Sequence, residues 1–394
     1  MGGLRRNRDF VLLQSGQLLS TFGGSLTTVA YPLLVLGLTG SPAKAGLVSA
    51  ARVAAAPLLT LPAGLAADRL DRRLIMISAD AARALAVGGL AVLVAVQPIF
   101  WPLPLIAFVE GAGETFFSSC TGSALRSIVP AEELPQAVSV QTGRTAVVGI
   151  AGPPVGGALY TARAALPFAA DALSYVFSLA SLLALRTPLQ EQRPREQTRI
   201  RTQLAEGFRF LMGQPFLRVT SFLYGVENFT IPATVFVLVV VAHGHGLTGG
   251  QIGLLLAAFS GCVFAGSLAA GAARRRFGPR TIMLLELYLG LGTIAFVLVP
   301  SVWVLAAAIL PQAVSLPITD SVVVSRRLQL TPDRLLGRVE AVRALIGRGL
   351  SPAGPLAAGL LLSSVSARAT VTVFAAVAVV LVCWGVLTPA LREG

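Results

Sequence analysis

Four carboxylic acids stand where carboxylates are hardest to keep. Glu110, Glu114, Glu227 and Asp320 lie inside long apolar runs, and an acid surrounded by hydrocarbon is expensive unless it is paired, protonated or facing a polar pathway. The chemistry open to such groups is reversible proton binding or attraction of a cation. Glu110 and Glu114 are one helical turn apart, so both can face one side, where mutual repulsion and poor solvation favour protonation of one of them. Glu227 sits near the middle of its run. Asp320 lies nearer the end of its run, within reach of Arg326 or Arg327. Arg52, Arg144, Arg343 and Arg348 also fall inside apolar runs and need partners; Arg52 lies at a depth that matches Glu110. Asp80, Arg83 and Glu286 are one or two turns from the inner ends of their runs and read as structural.

Other chemistries lack their residues. Cys120, Cys262 and Cys383 occupy separate runs with no CxxC spacing, so neither a disulfide framework nor a zinc site is suggested. His243 and His245 form an isolated HGH that reads as a turn, without further metal ligands. The only lysine, Lys44, stands between Ala43 and Ala45, so no Walker A loop for ATP exists. No nucleophile triad or metal cluster points to an enzyme. The energy source expected is an ion gradient, with no cofactor.

The elements that must position these residues are membrane spans. Of 394 residues, 55% are hydrophobic and 12% charged, which suits a bilayer better than water. A span needs about 20 mostly apolar residues, and twelve such runs are present: 11–37, 44–66, 75–97, 103–125, 137–160, 167–185, 215–242, 250–272, 281–299, 301–324, 339–362 and 369–389. The first is too long for a cleaved signal peptide and reads as a retained span. Spans 4, 7 and 10 carry the four acids; span 1 has none and holds Gln14, Gln17, Thr21, Thr27 and Thr28 as its polar candidates. The net charge of +13 is one-sided. Arginines cluster at 5–8, 69–73, 186–209, 274–280 and 326–338, whereas the opposite turns hold only Lys44, Arg163 and Arg368. The positive-inside rule therefore puts both termini in the cytoplasm of a multi-pass plasma-membrane protein. Nucleic acid is not needed to explain the charge. Trp101, Trp303 and Tyr160 sit near outer boundaries as interfacial anchors do.

The spans divide into a six-helix bundle at 1–186, a polar, arginine-rich cytoplasmic linker at 187–212 and a second six-helix bundle at 213–394. Within the linker, LAEGFRFL has an apolar face that could lie along the membrane; a solvated connector is the other reading. Two motif pairs mark the halves as repeats: GLAADRLDRR at 64–73 with GAARRRFGPR at 271–280, and GPPVGGAL at 152–159 with GPLAAGLL at 354–361. Gly152, Gly156 and Gly157 permit close helix approach, and Pro153 and Pro154 remove amide donors; Gly354 and Pro355 repeat the device.

GLAADRLDRR resembles the GxxxDRxGRR loop of the major facilitator superfamily, with Gly64, Asp68, Arg69, Arg72 and Arg73 on its positions. QTGRTAVVGIAGPPVGGAL resembles that superfamily's fifth-helix antiporter motif. FGGSLTTVAYPLLVLGLTGS, LRSIVPAEELPQA, DALSYVFSLASL, EGFRFL and LTPDRLLGRV resemble the branch containing macrolide efflux pumps and the enterobactin exporter. The resemblance implies an all-α integral membrane fold of twelve helices in two pseudo-symmetric halves, with helices 1, 4, 7 and 10 around a central cavity. It implies a gating latch in which Asp68 meets Arg72 and the amino end of span 11 near Arg338 when the inside is closed. Three positions depart from the pattern: Asp71 replaces a glycine, Arg275 stands where the second copy would have its acid, and Ala107 lies near a position that is arginine in many drug exporters.

The function expected is a monomeric bacterial proton-coupled exporter of a small amphiphilic compound, such as a drug, natural product or siderophore. Its partners would be that compound, protons and the lipid bilayer. An importer of a nutrient or lysolipid, or a non-transporting receptor, are the alternatives.

Overall fold

The computed structural model describes residue 4, residues 6–190 and residues 200–391, and its regular structure is helical. The linker calls at 191–199, the expected cytoplasmic charges of Arg5, Arg193, Arg195 and Arg199, and that of Arg392 lie outside the described residues.

Helix covers each of the twelve apolar runs. The first half holds Arg8–Thr39, Pro42–Arg69, Arg72–Val96, Leu103–Ile128, Leu134–Ala162 and Leu166–Ala184. After the short helix Ile200–Gly213, the second half holds Pro215–Gly244, Gly249–Arg276, Pro279–Gly290 with Ile294–Leu298, Val302–Leu330, Leu336–Gly349 with Ala353–Ser364, and Ala367–Leu387. Local chemistry sets the breaks. Asn7 Oδ1 accepts the Phe10 amide at the first helix start, and Gly40 closes that helix at φ 62°, a conformation without penalty only for glycine. Ser41 caps the second helix and Asp71 the third.

Among the described residues, ten helices are long and apolar enough to cross a membrane, against the twelve expected. The two outside that set, Leu103–Ile128 and Leu134–Ala162, are 26 and 29 residues long, about 39 Å or more at the helical rise. Their length suffices; their polar content does not pass as bilayer-facing. Glu110, Glu114 and Arg144 are among the residues responsible.

The chain forms two compact units. Unit 1 comprises Met1–Pro194 and Gly246–Ala257; unit 2 comprises Arg195–His245 and Ala258–Gly394. The division differs from a simple cut at the linker because the start of the eighth span joins unit 1. Gly249 lies against the Gly157 backbone and Gly253 against the Pro153 carbonyl, and the Gly249 amide donates to Thr161 Oγ1 at 3.1 Å.

In unit 1, span 1 packs on spans 5 and 6, span 2 on span 4, and span 3 on spans 4 and 6. A core of Leu13, Met76, Cys120, Ala124 and Leu182 fills one end. The GPPVGG glycines set the distance between spans 1 and 5, since a Cβ on Gly156 would strike the Leu26 backbone. In unit 2 the second segment of span 11 packs on span 7, and a Cβ on Gly354 would strike the Phe229 carbonyl. Span 11 breaks at Leu350–Pro352, where the Ser351 amide bonds the Arg348 carbonyl in a tight turn and Pro352 has no amide to offer. Span 5 carries its prolines inside one continuous helix. The LAEGFRFL segment lies in Ile200–Gly213, with Leu211 fully buried in the unit 2 core and Gly207 against the Arg338 backbone.

Candidate functional site

Unit 1 carries its charge as a buried chain of bonds. Arg52 of span 2 meets Glu110 of span 4 at 2.5 Å and also donates to the Gly24 carbonyl at 3.0 Å. The Tyr31 hydroxyl donates to the other Glu110 oxygen at 2.8 Å. Thr27 stands between two acids, 3.5 Å from Glu110 Oε1 and 3.4 Å from Asp171 Oδ2. Asp171, fully buried, is also reached by the Tyr175 hydroxyl at 3.4 Å and by Ser174 Oγ at 3.4 Å. Arg83 completes the chain: it donates to Tyr175 at 2.9 Å and pairs with Glu114 at 2.8 Å and Asp80 at 3.4 Å. Its guanidinium stacks over the Tyr175 ring, 4.0 Å from the centroid. Missing side chains make the room. Gly113 sits beside the Arg83 stem, and Gly23 beside Ser174 and the Asp171 carboxyl.

Glu110 and Glu114 share a helix but not an environment. Glu110 is enclosed, whereas the Glu114 side chain is 60% exposed on the wall of a polar cavity of about 170 Å³. Arg144 lines the same cavity. It has no carboxylate partner among the described residues; Nη1 donates to Gln14 Oε1 at 2.9 Å and Gln17 Oε1 at 2.6 Å.

Unit 2 arranges its acids differently. Glu227, Glu286 and Asp320 line one cavity of about 360 Å³, walled by apolar side chains including Leu223, Ile231, Met283 and Pro317. Arg343 also lines it, but its guanidinium is held by both Glu340 oxygens at 2.9 and 3.1 Å and stacks on Tyr224. Among the described residues, no salt bridge reaches the three cavity acids. The pairing of Asp320 with Arg326 or Arg327 does not form: Arg327 bonds Glu340 at 2.6 Å, and Arg326 Nη1 donates to Gln329 at 3.4 Å. Arg348 is exposed and needs no buried partner.

In the 64–73 loop the expected Asp68–Arg72 pair is absent. Arg72 is buried and donates to the carbonyls of Ala67 and Leu189 at 3.1 and 3.2 Å. Arg73 donates to the Leu182 and Leu183 carbonyls at 3.1 and 2.8 Å. Both satisfy carbonyls that a helix end leaves open. Asp71 caps the third helix, while Asp68 and Arg69 are exposed and Gly64 faces open space. Arg338 pairs with Glu206 of the Ile200–Gly213 helix.

Arg83 and Glu286 read as structural from their distance to the inner face; Arg83 joins three polar partners within the bundle, and Glu286 lines the larger cavity. Asp171 was passed over, although the rule that picked out Glu110, an acid inside an apolar run, applies to it equally.

A family model described as "Transmembrane secretion effector" matches residues 4–394. Among characterised proteins, the chain is 28% identical over 432 aligned residues to the multidrug efflux pump Tap of Mycobacterium tuberculosis, covering 100% of this chain and 96% of Tap. It is 28% identical over 327 residues to the enterobactin exporter EntS of Escherichia coli, covering 80% and 76% of the two chains. A bacterial homologue of the human lysosomal transporter Spinster, in its inward-facing and unoccupied conformation, superposes with a TM-score of 0.76 at 17% identity, covering 99% of this chain and 98% of that one.

Proposed function

The chain belongs to the transmembrane secretion effector family of the major facilitator superfamily, and on that premise we propose that this membrane transporter is a proton-coupled exporter of small amphiphilic compounds. The observation that carries the coupling is the unit 2 cavity. Three carboxyls, Glu227, Glu286 and Asp320, share one largely apolar space with an arginine already committed to Glu340. Carboxyls so placed can exchange protons without dismantling an ion pair, and a proton on one of them removes a charge that a low-dielectric cavity tolerates poorly.

The cycle runs on alternating access. Substrate enters from the cytoplasmic leaflet or cytoplasm, leaves outside, and a proton taken up from outside resets the carrier. Arginine-rich loops hold both termini in the cytoplasm of a bacterial plasma membrane. The gradient supplies the work, with no ATP or cofactor, and one chain suffices. Export as the direction is supported by the efflux pump Tap and the exporter EntS, each similar along most of the chain.

The test uses everted membrane vesicles loaded with a pH dye and supplied with ethidium as reporter substrate. Ethidium uptake into the vesicles should require a proton gradient, collapse with a protonophore, and fall at least tenfold in Glu227→Gln. Gradient-driven uptake that persists undiminished in both Glu227→Gln and Glu286→Gln removes the unit 2 acids from coupling. Movement in the opposite direction identifies an importer.

A further inference from the structure

Arg144 is a guanidinium inside a membrane bundle whose protein acceptors are neutral. Gln14 and Gln17 turn their amide oxygens to Nη1, and Gln17 is oriented by its own Nε2, which reaches Thr121 Oγ1 at 3.5 Å. Arg144 Nε is enclosed and has no acceptor among the described residues. The one acid on the cavity wall, Glu114, is bonded to Arg83 at 2.8 Å. The charged side chains on the cavity wall are Arg144 and Glu114, and Glu114 is already engaged by Arg83, which also holds Asp80.

The hydroxyls around the cavity offer little to a ligand as donors. Thr21, Ser118 and Thr121 each donate to a carbonyl of their own helix. Arg144 is therefore the charged donor facing about 170 Å³ of space, with the Gln141 side chain on the same wall. A guanidinium matches the two oxygens of a carboxylate or similar oxyanion, and the bond is stronger than one between neutral groups.

We propose that the unit 1 cavity is an anion-recognition site and that the exported compounds include amphiphiles bearing an acidic oxygen group, seated on Arg144 with Gln14 and Gln17 holding the guanidinium in place. This rests on the exporter reading for its physiological meaning, but the site is testable by binding alone. A carboxylate, a phenolate and a sulfonate share the required chemistry, whereas an amide or a quaternary ammonium lacks it.

Purified protein is titrated with matched acid and amide pairs, benzoate with benzamide and naphthoate with naphthamide, and binding is read from the shift in melting temperature. The acids should stabilise the wild type more than their amides. Arg144→Gln should weaken acid binding about tenfold or more, the loss of a charge-assisted hydrogen bond, and Arg144→Lys should keep part of it. Arg163→Gln, in an outer turn, should bind as wild type. Because Arg144→Gln can disturb folding, Glu114→Gln provides a second reading: removal of the neighbouring acid should strengthen acid binding. Amides that bind as well as acids, or acid binding unchanged in both variants, overturns the proposal. Fluorescein transport in everted vesicles separates the two readings. Acid binding with movement of neither fluorescein nor ethidium leaves the site standing and sinks the exporter reading, whereas ethidium export with no acid preference does the reverse.

Discussion

Each of the four acids in the unit 1 network has a committed partner: Glu110 has Arg52, Asp80 and Glu114 have Arg83, and Asp171 has the hydroxyls of Thr27, Ser174 and Tyr175. Unit 2 gathers Glu227, Glu286 and Asp320 around a larger and more apolar space, and its arginine is held by Glu340. The two units thus differ in how they carry charge. In unit 1 the acids and arginines tie spans 1, 2, 3, 4 and 6 to one another, and changing one leaves a buried opposite charge. In unit 2 the acids can change protonation without losing a partner. Paired and unpaired acids separate along this line, with Glu114, bonded to Arg83 yet open to the unit 1 cavity, as the exception.

The largest expected effect tests the locked side. Arg83→Leu removes a side chain that is 3% exposed and strands Asp80, whose side chain is fully enclosed. Breaking a buried pair in this way costs about 3–5 kcal/mol, so the purified variant should melt far below the wild type. Glu286→Gln, nearly isosteric and unpaired, should melt within a few degrees of it. Equal destabilisation of the two would erase the contrast between the units. A second, smaller loss is expected from Gly156→Val, which forces span 5 off the Leu26 backbone at roughly 1–3 kcal/mol; Gly354→Val should match it in unit 2, because Gly354 approaches the Phe229 carbonyl in the same way.

Much of this arrangement was legible from residue types. Apolar runs gave the helices because the bilayer imposes their length, and matching depth placed Arg52 opposite Glu110, where the structure joins them. The GPPVGG glycines announced close approach, and Gly156 makes it. Partner choice was harder to see. Nothing in the spacing tells that Arg144 faces two glutamines rather than an acid, or that Arg72 caps carbonyls instead of meeting Asp68, since both depend on which helix lies alongside. Glu286 was discounted by its distance from the inner face, a one-dimensional measure blind to a cavity that reaches it. Spans 4 and 5 fall short of the other ten in mean hydropathy, since Glu110 and Glu114 interrupt the first and polar, glycine and proline residues the second.

The smallest expected effect concerns Arg338. By resemblance Asp68 meets the amino end of span 11 near Arg338 when the inside is closed; in the structure Arg338 bonds Glu206, a carboxylate whose side chain is 49% exposed. A pair so exposed is worth about 0–1 kcal/mol after screening, so Glu206→Gln should leave the melting temperature almost unchanged and the small difference should vanish in high salt. Transport distinguishes what stability does not. If the Glu206 bond competes with a latch through Asp68, Glu206→Gln should release Arg338 and alter ethidium export by a few-fold, and the effect should disappear when Asp68→Asn is added. Independent, additive effects of the two substitutions on export would show that Arg338 serves the Ile200–Gly213 helix alone, leaving the first-half loop with its arginines on carbonyls and no gate to close.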